Sequence, residues 1–120
     1  MTTVLSLRLP SALENSVRVH AAHLQKPVPV VVGSILEHSI GGQYTFSQLP
    51  DVPQSLDGKL DVRLSTELVV RLRAETLRLG ISISVYSRVI LYAFYSKRLV
   101  FVQIGGRYTL AENHEQTKCA

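Results

Sequence analysis

The stretch Thr3-Val4-Leu5-Ser6-Leu7-Arg8-Leu9-Pro10 decides the fold, because its pattern returns at Gly58-Lys59-Leu60-Asp61-Val62-Arg63-Leu64-Ser65. Each stretch alternates apolar and mostly polar residues with the period of two that is typical of a half-buried strand. A helical pattern follows each stretch directly and leaves no room for a hairpin partner. Because an isolated strand leaves its backbone groups unpaired, we expect the two strands to pair as an antiparallel ribbon.

One face of the predicted ribbon is apolar and the other is mostly polar. The apolar face consists of Leu5, Leu7, Leu9, Leu60, Val62 and Leu64. The opposite face consists of Val4, Ser6, Arg8, Lys59, Asp61 and Arg63. Antiparallel pairing places Ser6 beside Asp61, Arg8 near Lys59 and Val4 near Arg63. Since a polar two-stranded ribbon fits the major groove, the second face is a candidate DNA-binding surface.

The order strand, helix, helix occurs twice in the chain. Leu5 corresponds to Leu60 and Arg8 to Arg63, a shift of 55 positions that also carries most inward helix positions onto apolar residues. Each copy is too small to hold a core alone, so the copies should fold as one intertwined unit. We therefore expect Leu72 and Ile90 of the second copy to be core residues.

The helices have recognisable ends. Ser11-Ala12-Leu13-Glu14 reads as a capping box, and the first helix is expected to bury Leu13, Val17, Ala21 and Leu24. The second helix begins with Pro29 in its first turn, and its inward positions are Val32, Ile35, Leu36 and Ser39. In the second copy, Ser65 or Thr66 caps the first helix and Ser82 or Ser84 caps the next.

The predicted organisation is one domain over 1–111 followed by a flexible tail over 112–120. The domain divides into a first copy (3–41), a linker (42–58), a second copy (59–98) and a C-terminal β-hairpin (99–111). The hairpin is predicted from two strand patterns that flank Gly105-Gly106. The expected fold class is mostly α with a two-stranded antiparallel ribbon, and both ribbon strands belong to one chain, which predicts a monomer.

Composition narrows the functional classes. The chain has 120 residues and a formal net charge of +4, which slightly favours an anionic partner. We find neither a signal-peptide pattern at the start nor an apolar run long enough to span a bilayer. Cys119 is the single cysteine, which suits a reducing compartment and predicts a cytoplasmic protein without membrane contact.

The order strand-helix-helix, with Leu7-Arg8-Leu9-Pro10 leading into the first helix, resembles the ribbon-helix-helix superfamily of Arc- and MetJ-like DNA-binding proteins. Two copies in one chain resemble its tandem members, the TraY- and VirC-class accessory proteins of conjugative plasmid DNA and T-DNA transfer. The resemblance covers 3–40 and 59–97. It implies a tandem ribbon-helix-helix pseudo-dimer whose ribbon binds double-stranded DNA, as a relaxosome-type transfer factor or a transcriptional repressor.

The resemblance also assigns roles to residues. The base-reading positions fall on Val4, Ser6, Arg8, Lys59, Asp61 and Arg63. The family's phosphate anchor, the start of each second helix, falls on Ser82, Ile83, Ser84 and Val85 in the second copy. In the first copy the corresponding positions hold Pro27, Val28, Pro29 and Val30, and the two prolines remove two amide donors. We therefore expect the second copy to carry most of the DNA affinity.

Other chemistries find little support in the sequence. His20 and His23 are three apart on a helix, but no third metal ligand is evident beside them, since His38 and His114 lie far along the chain. Cys119 has no visible base, and no serine has the glycine-flanked turn of a hydrolase. We expect no enzyme, cofactor or metal. The alternative to DNA binding is a protein-protein interaction module on the same scaffold, with proteins of a DNA-processing complex as further partners.

Overall fold

The computed structural model describes residues 1–113. Its elements in chain order are β1 (Thr2–Leu9), α1 (Ser11–Leu24), α2 (Val28–Ser39), a 3₁₀ turn (Phe46–Gln48), β2 (Gly58–Ser65), α3 (Thr66–Leu79), α4 (Ile83–Tyr95), β3 (Leu99–Ile104) and β4 (Arg107–Glu112). The predicted tail over 112–120 begins inside β4, and its residues from 114 onward, including His114 and Cys119, lie outside the described residues.

Strands β1 and β2 pair antiparallel over their whole length, from Thr2 opposite Ser65 to Leu9 opposite Gly58. The predicted neighbours are confirmed: Ser6 pairs with Asp61, and the two flanking pairs are Val4 with Arg63 and Arg8 with Lys59. The alternation of the sequence fixes the faces, because successive side chains of a strand point to opposite sides. Five of the six inward side chains are buried, and Leu5 is partly buried.

The four helices form the core with the apolar face of the ribbon. Leu72 and Ile90 are fully buried, as predicted. The predicted inward face of α2 is confirmed, since Val32, Ile35, Leu36 and Ser39 are all buried. One prediction for α1 is wrong: Leu24 is 47% exposed, because α1 ends there and Gln25 takes a left-handed conformation that turns the chain away.

The predicted fold class, a mostly α tandem ribbon-helix-helix pseudo-dimer with an appended hairpin, is wrong. The described chain is 50% helical and 26% strand, with two separate two-stranded antiparallel sheets, so it is an α+β protein. The second sheet, β3–β4, belongs to the core, because Leu99 and Leu110 are fully buried there. Two backbone hydrogen bonds join Gln43 to β4. The Gln43 N–H donates to the Leu110 carbonyl (2.8 Å), and the Gln43 carbonyl accepts from the Glu112 N–H (3.2 Å).

The predicted capping box at the start of α1 is also wrong. Ser11 is the first helical residue rather than the cap, and its N–H donates to Oδ1 of Asp57, at 2.9 Å. Glu14 does not reach back to Ser11: its Oε1 accepts from the Lys59 N–H of β2 at 3.0 Å, and its Oε2 accepts from Nε of Arg18, one turn further along α1, at 2.8 Å. The first turn of α1 is thus hydrogen-bonded to the linker through Ser11 and to β2 through Glu14, and these bonds tie the two strand-helix-helix units together.

No single helix within residues 1–113 has the length and apolar content to cross a membrane. Helices α3 and α4 reach that length and composition only as a pair, which is bent by 93°.

Candidate nucleic-acid interface

The outward face of the β1–β2 ribbon brings the six predicted base-reading side chains onto one surface. Val4, Ser6, Arg8, Lys59, Asp61 and Arg63 are all exposed. The face carries three cations and one carboxylate. The cations are Arg8, Lys59 and Arg63, and the carboxylate is Asp61. Its centre is the Ser6–Asp61 pair, and the two ends differ: one holds Arg8 opposite Lys59, and the other holds Val4 opposite Arg63.

Asp61 is largely satisfied by its neighbours within the ribbon. The Ser6 hydroxyl donates to Oδ1 at 2.6 Å, and the Lys59 ammonium lies 3.7 Å from Oδ2. The Ser6 hydrogen bond, together with the positive charges of Lys59 and Arg8, lowers the pKa of Asp61. The carboxylate is therefore ionised at neutral pH, and its repulsion of a polyanion is weakened by the cation beside it.

The Arg8–Lys59 end of the ribbon concentrates positive charge. Like charges directly opposite each other in a sheet are destabilising, yet Arg8 and Lys59 are paired across the strands. A third cation, Arg88 of α4, donates from Nε to the Arg8 carbonyl at 2.8 Å. The end of the ribbon therefore carries three cations, one of which comes from a helix.

The start of α4 is a well-formed helix N-terminus. Ser82 is the N-cap, and its hydroxyl accepts from the Val85 N–H at 3.1 Å. The amides of Ile83 and Ser84 precede the first intrahelical bonds, so they can donate to an outside acceptor. α4 packs against β1, and Arg88, one turn further along, contacts the same strand. The predicted phosphate-contacting residues thus lie on the helix that meets the Arg8 end.

The start of α2 is different, as the prolines predict. Pro27 occupies the N-cap position without a side-chain hydrogen bond, and Pro29 stands in the first turn. Where α4 has Arg88, α2 has Gly33 at the equivalent repeat position. An open cleft of about 380 Å³ lies there, between Pro29, Gly33 and Arg63. The Arg63 end of the ribbon therefore has neither an amide-rich helix start nor a second arginine from the adjoining helix.

Each second helix packs against the strand of the other unit, so the predicted site residues are grouped differently from the order in the sequence. The sequence placed Arg63 and the serine-capped helix start in the same copy. In the folded chain α4 packs against β1 and α2 against β2, so the good helix start serves Arg8 of the first unit. Arg88 was missed by sequence reasoning, because its contact spans 80 positions. The sequence does show one difference between the copies here: the position of Arg88 in the second copy is held by Gly33 in the first.

Of the two histidines that were weighed as metal ligands, His23 is exposed and His20 contacts a tyrosine. Nδ1 of His20 lies 2.8 Å from the Tyr95 hydroxyl, and Nδ1 of His38 lies 2.7 Å from the Ser34 carbonyl. Over residues 1–113 no group of three or more His, Cys, Asp or Glu side chains is placed to hold a metal ion.

Tyr86 of α4 belongs to the core. Its side chain is fully buried, and its hydroxyl oxygen lies 2.7 Å from the Ser39 hydroxyl.

No protein-family model, curated protein or solved structure matches this chain.

Proposed function

We propose that this protein binds double-stranded DNA by inserting the polar face of the β1–β2 ribbon into the major groove. The observation that carries the proposal is the Arg8–Lys59 pair with Arg88 beside it. Placing like charges opposite each other on an exposed ribbon costs stability. An anionic partner offsets that cost, and the ribbon has the width that the major groove of DNA admits.

The exposed side chains suit direct contact with base edges. The guanidinium groups of Arg8 and Arg63 match the two acceptors of guanine, and Lys59 can donate to guanine or to a phosphate. Asp61 can accept from the amino group of cytosine, and Val4 can contact a thymine methyl group. Because the two ends of the ribbon carry different residues, the preferred site is not palindromic, unlike the mirrored half-sites of a symmetric dimer.

The start of α4 supplies the backbone anchor. Its free amides and positive dipole end favour a phosphate oxygen. A phosphate held by Ile83 and Ser84 would fix the register of the ribbon without reading sequence. Arg88 would add positive charge at the same end. The complex is then anchored on one side, by the Arg8 end of the ribbon and the helix that packs against it.

The biological setting follows from the resemblance to the ribbon-helix-helix superfamily. On that basis we propose a cytoplasmic DNA-binding protein that acts in a DNA-transfer complex or as a transcriptional repressor, together with other proteins of such a complex. Both ribbon strands come from one chain, so we propose a monomer. Sedimentation at micromolar concentration tests this: an obligate dimer would contradict it.

The direct test is a binding titration of the wild-type chain on labelled duplexes of random sequence, followed by selection of preferred sites. We expect binding at low salt that weakens as salt rises, with a slope that counts the phosphate contacts. A variant with Arg8, Lys59 and Arg88 all changed to alanine should lose most of that slope. The matched control is Arg107→Ala on the hairpin, which should bind as the wild type does. If the wild type binds no duplex at low salt, the DNA proposal fails and the protein-interaction alternative replaces it.

A further inference from the structure

A second feature of the molecule lies at the opposite end of α4 from its proposed phosphate anchor. Between the C-terminal halves of α1 and α4 and the start of β3 there is an open groove of about 640 Å³. Its wall includes Val19, His20, Phe94, Tyr95, Lys97 and Phe101. Pockets for small organic molecules have volumes of roughly 300–1,000 Å³, so this groove has the size of a ligand site.

The groove is walled largely by rings in edge-to-face contact. Phe94 meets Phe101 with ring centroids 5.4 Å apart and Tyr95 at 5.0 Å. The imidazole of His20 stands edge-on to Tyr95 at 5.4 Å, and its Nδ1 lies 2.8 Å from the Tyr95 hydroxyl. These contacts hold the wall in a defined shape without any occupant. A preformed apolar wall lowers the entropic cost of binding a flat or branched apolar molecule.

The charge of the groove is one-sided. Of the described residues that line it, Lys97 is the one with a permanent charge, His20 and His23 add two imidazoles, and none is an aspartate or glutamate. Val19 is 59% exposed and Phe101 is 38% exposed, so an occupant would cover apolar surface that water now reaches. The combination of apolar wall and cationic rim complements a molecule with an apolar body and an anionic head.

We propose that this groove binds a small organic carboxylate with an aromatic or branched apolar body. The body packs on Phe94, Tyr95 and Phe101, and the carboxylate lies at the rim beside Lys97. The proposal rests on the groove alone and is independent of DNA binding, so it is tested without DNA.

The probe is 2-naphthoate, and 2-naphthamide of the same shape without the charge is the comparison ligand. Calorimetric titration, together with amide chemical shifts, measures the affinity and the location. We expect saturable binding of 2-naphthoate, weaker binding of the amide, and shift changes centred on the residues of the groove. Absence of saturable binding, equal affinity for both probes, or shifts centred elsewhere would overturn the proposal.

Two exposed valines give a matched pair of variants. Val19 lies in the groove, whereas Val70 on α3 is outside it and equally exposed, at 60%. A carboxylate placed at position 19 repels the ligand, so Val19→Glu should weaken 2-naphthoate binding by about fivefold, and Val70→Glu should leave it unchanged. Equal effects of the two variants would contradict a specific site. Lys97→Gln should weaken 2-naphthoate by about threefold and spare 2-naphthamide; equal losses for both probes would contradict the placement of the carboxylate.

Discussion

Ser6 and Asp61 occupy equivalent positions of the two strand-helix-helix units, 55 residues apart, and meet face to face in the ribbon with the Ser6 hydroxyl 2.6 Å from Asp61 Oδ1. A symmetric dimer would place two identical residues at this point, which rules out a donor-acceptor pair of different side chains. Two units joined in one chain can instead hold a donor opposite an acceptor. The centre of the proposed DNA-binding face is therefore asymmetric, and this pair provides the first prediction.

Ser6→Ala should raise the pKa of Asp61 toward 3.8, the ordinary value for aspartate, because the Ser6 hydrogen bond is the main cause of its lowered pKa. The residual lowering comes from Lys59 and Arg8, so the pKa should return only in part. Carboxyl carbon shifts followed through a pH titration measure the change. The control is Thr3→Ala, at the inward edge of the same strand. An unchanged Asp61 pKa in Ser6→Ala would show that the hydrogen bond does not govern its ionisation.

The second prediction compares two leucines of one helix. Leu72 is fully buried in α3, and Leu77 in the same helix is 83% exposed. Leu72→Ala should lower the free energy of unfolding by about 2–5 kcal/mol, because it removes buried apolar surface and leaves a cavity. Leu77→Ala should stay within about 0.5 kcal/mol of wild type. Urea denaturation measures both, and similar losses in the two variants would contradict the assigned core.

The sequence predicted the ribbon register and most of the core, because both follow from local periodicity. Alternation fixes the faces of β1 and β2, and two unpaired strands have one simple way to pair. Three features could not be predicted: the bond from Ser11 to Asp57, the contact of Arg88 with Arg8, and the ring-walled groove. Each depends on how distant elements pack, which no local pattern records. The capping-box prediction failed for the same reason, since Asp57, 46 positions away, binds the Ser11 amide to which Glu14 was expected to reach back.

The third prediction concerns that long-range cap. The backbone N–H of Ser11 is the main cause of the lowered pKa of Asp57. A carboxyl group whose pKa is lower in the folded state stabilises the fold above its unfolded pKa, and the stabilisation is lost as pH falls through the folded pKa. Asp57→Ala should therefore unfold at lower urea concentration than wild type at pH 7. The difference in urea midpoint between Asp57→Ala and wild type should become smaller as pH drops below 3.8, the ordinary pKa of aspartate.

The matched control for the cap is Asp51→Ala, which removes the same charge from the same linker without touching α1. Its unfolding midpoint should stay close to that of wild type at both pH values. A gap between Asp57→Ala and wild type that persists unchanged in acid would contradict the assignment of the stabilisation to the ionised carboxylate.

The fourth prediction ranks the two ends of the ribbon. Arg8 lies with Lys59, Arg88 and the open start of α4, whereas Arg63 lies beside Val4 and the proline-blocked start of α2. Arg8→Ala should cost about 1–3 kcal/mol of DNA-binding free energy and relax the base preference at one end of the selected site. Arg63→Ala should cost less. Titration of both variants on the same selected duplex gives the order, and a larger loss for Arg63→Ala would return the main contact to the second unit, as the sequence alone predicted.

The last prediction exchanges the helix starts. Ser84 of α4 and Pro29 of α2 are repeat equivalents, and each stands second in its helix. Proline is tolerated in a first helical turn, so Ser84→Pro should fold normally while removing one amide from the phosphate anchor. Binding should weaken by a similar factor on random and selected duplexes, because a phosphate contact carries no sequence information. Pro29→Ser restores an amide at the other end and should strengthen binding on all duplexes. Salt-titrated anisotropy with thermal melts of each variant separates binding from folding. If Ser84→Pro binds as tightly as the wild type while remaining folded, the start of α4 is not the anchor and the ribbon acts alone.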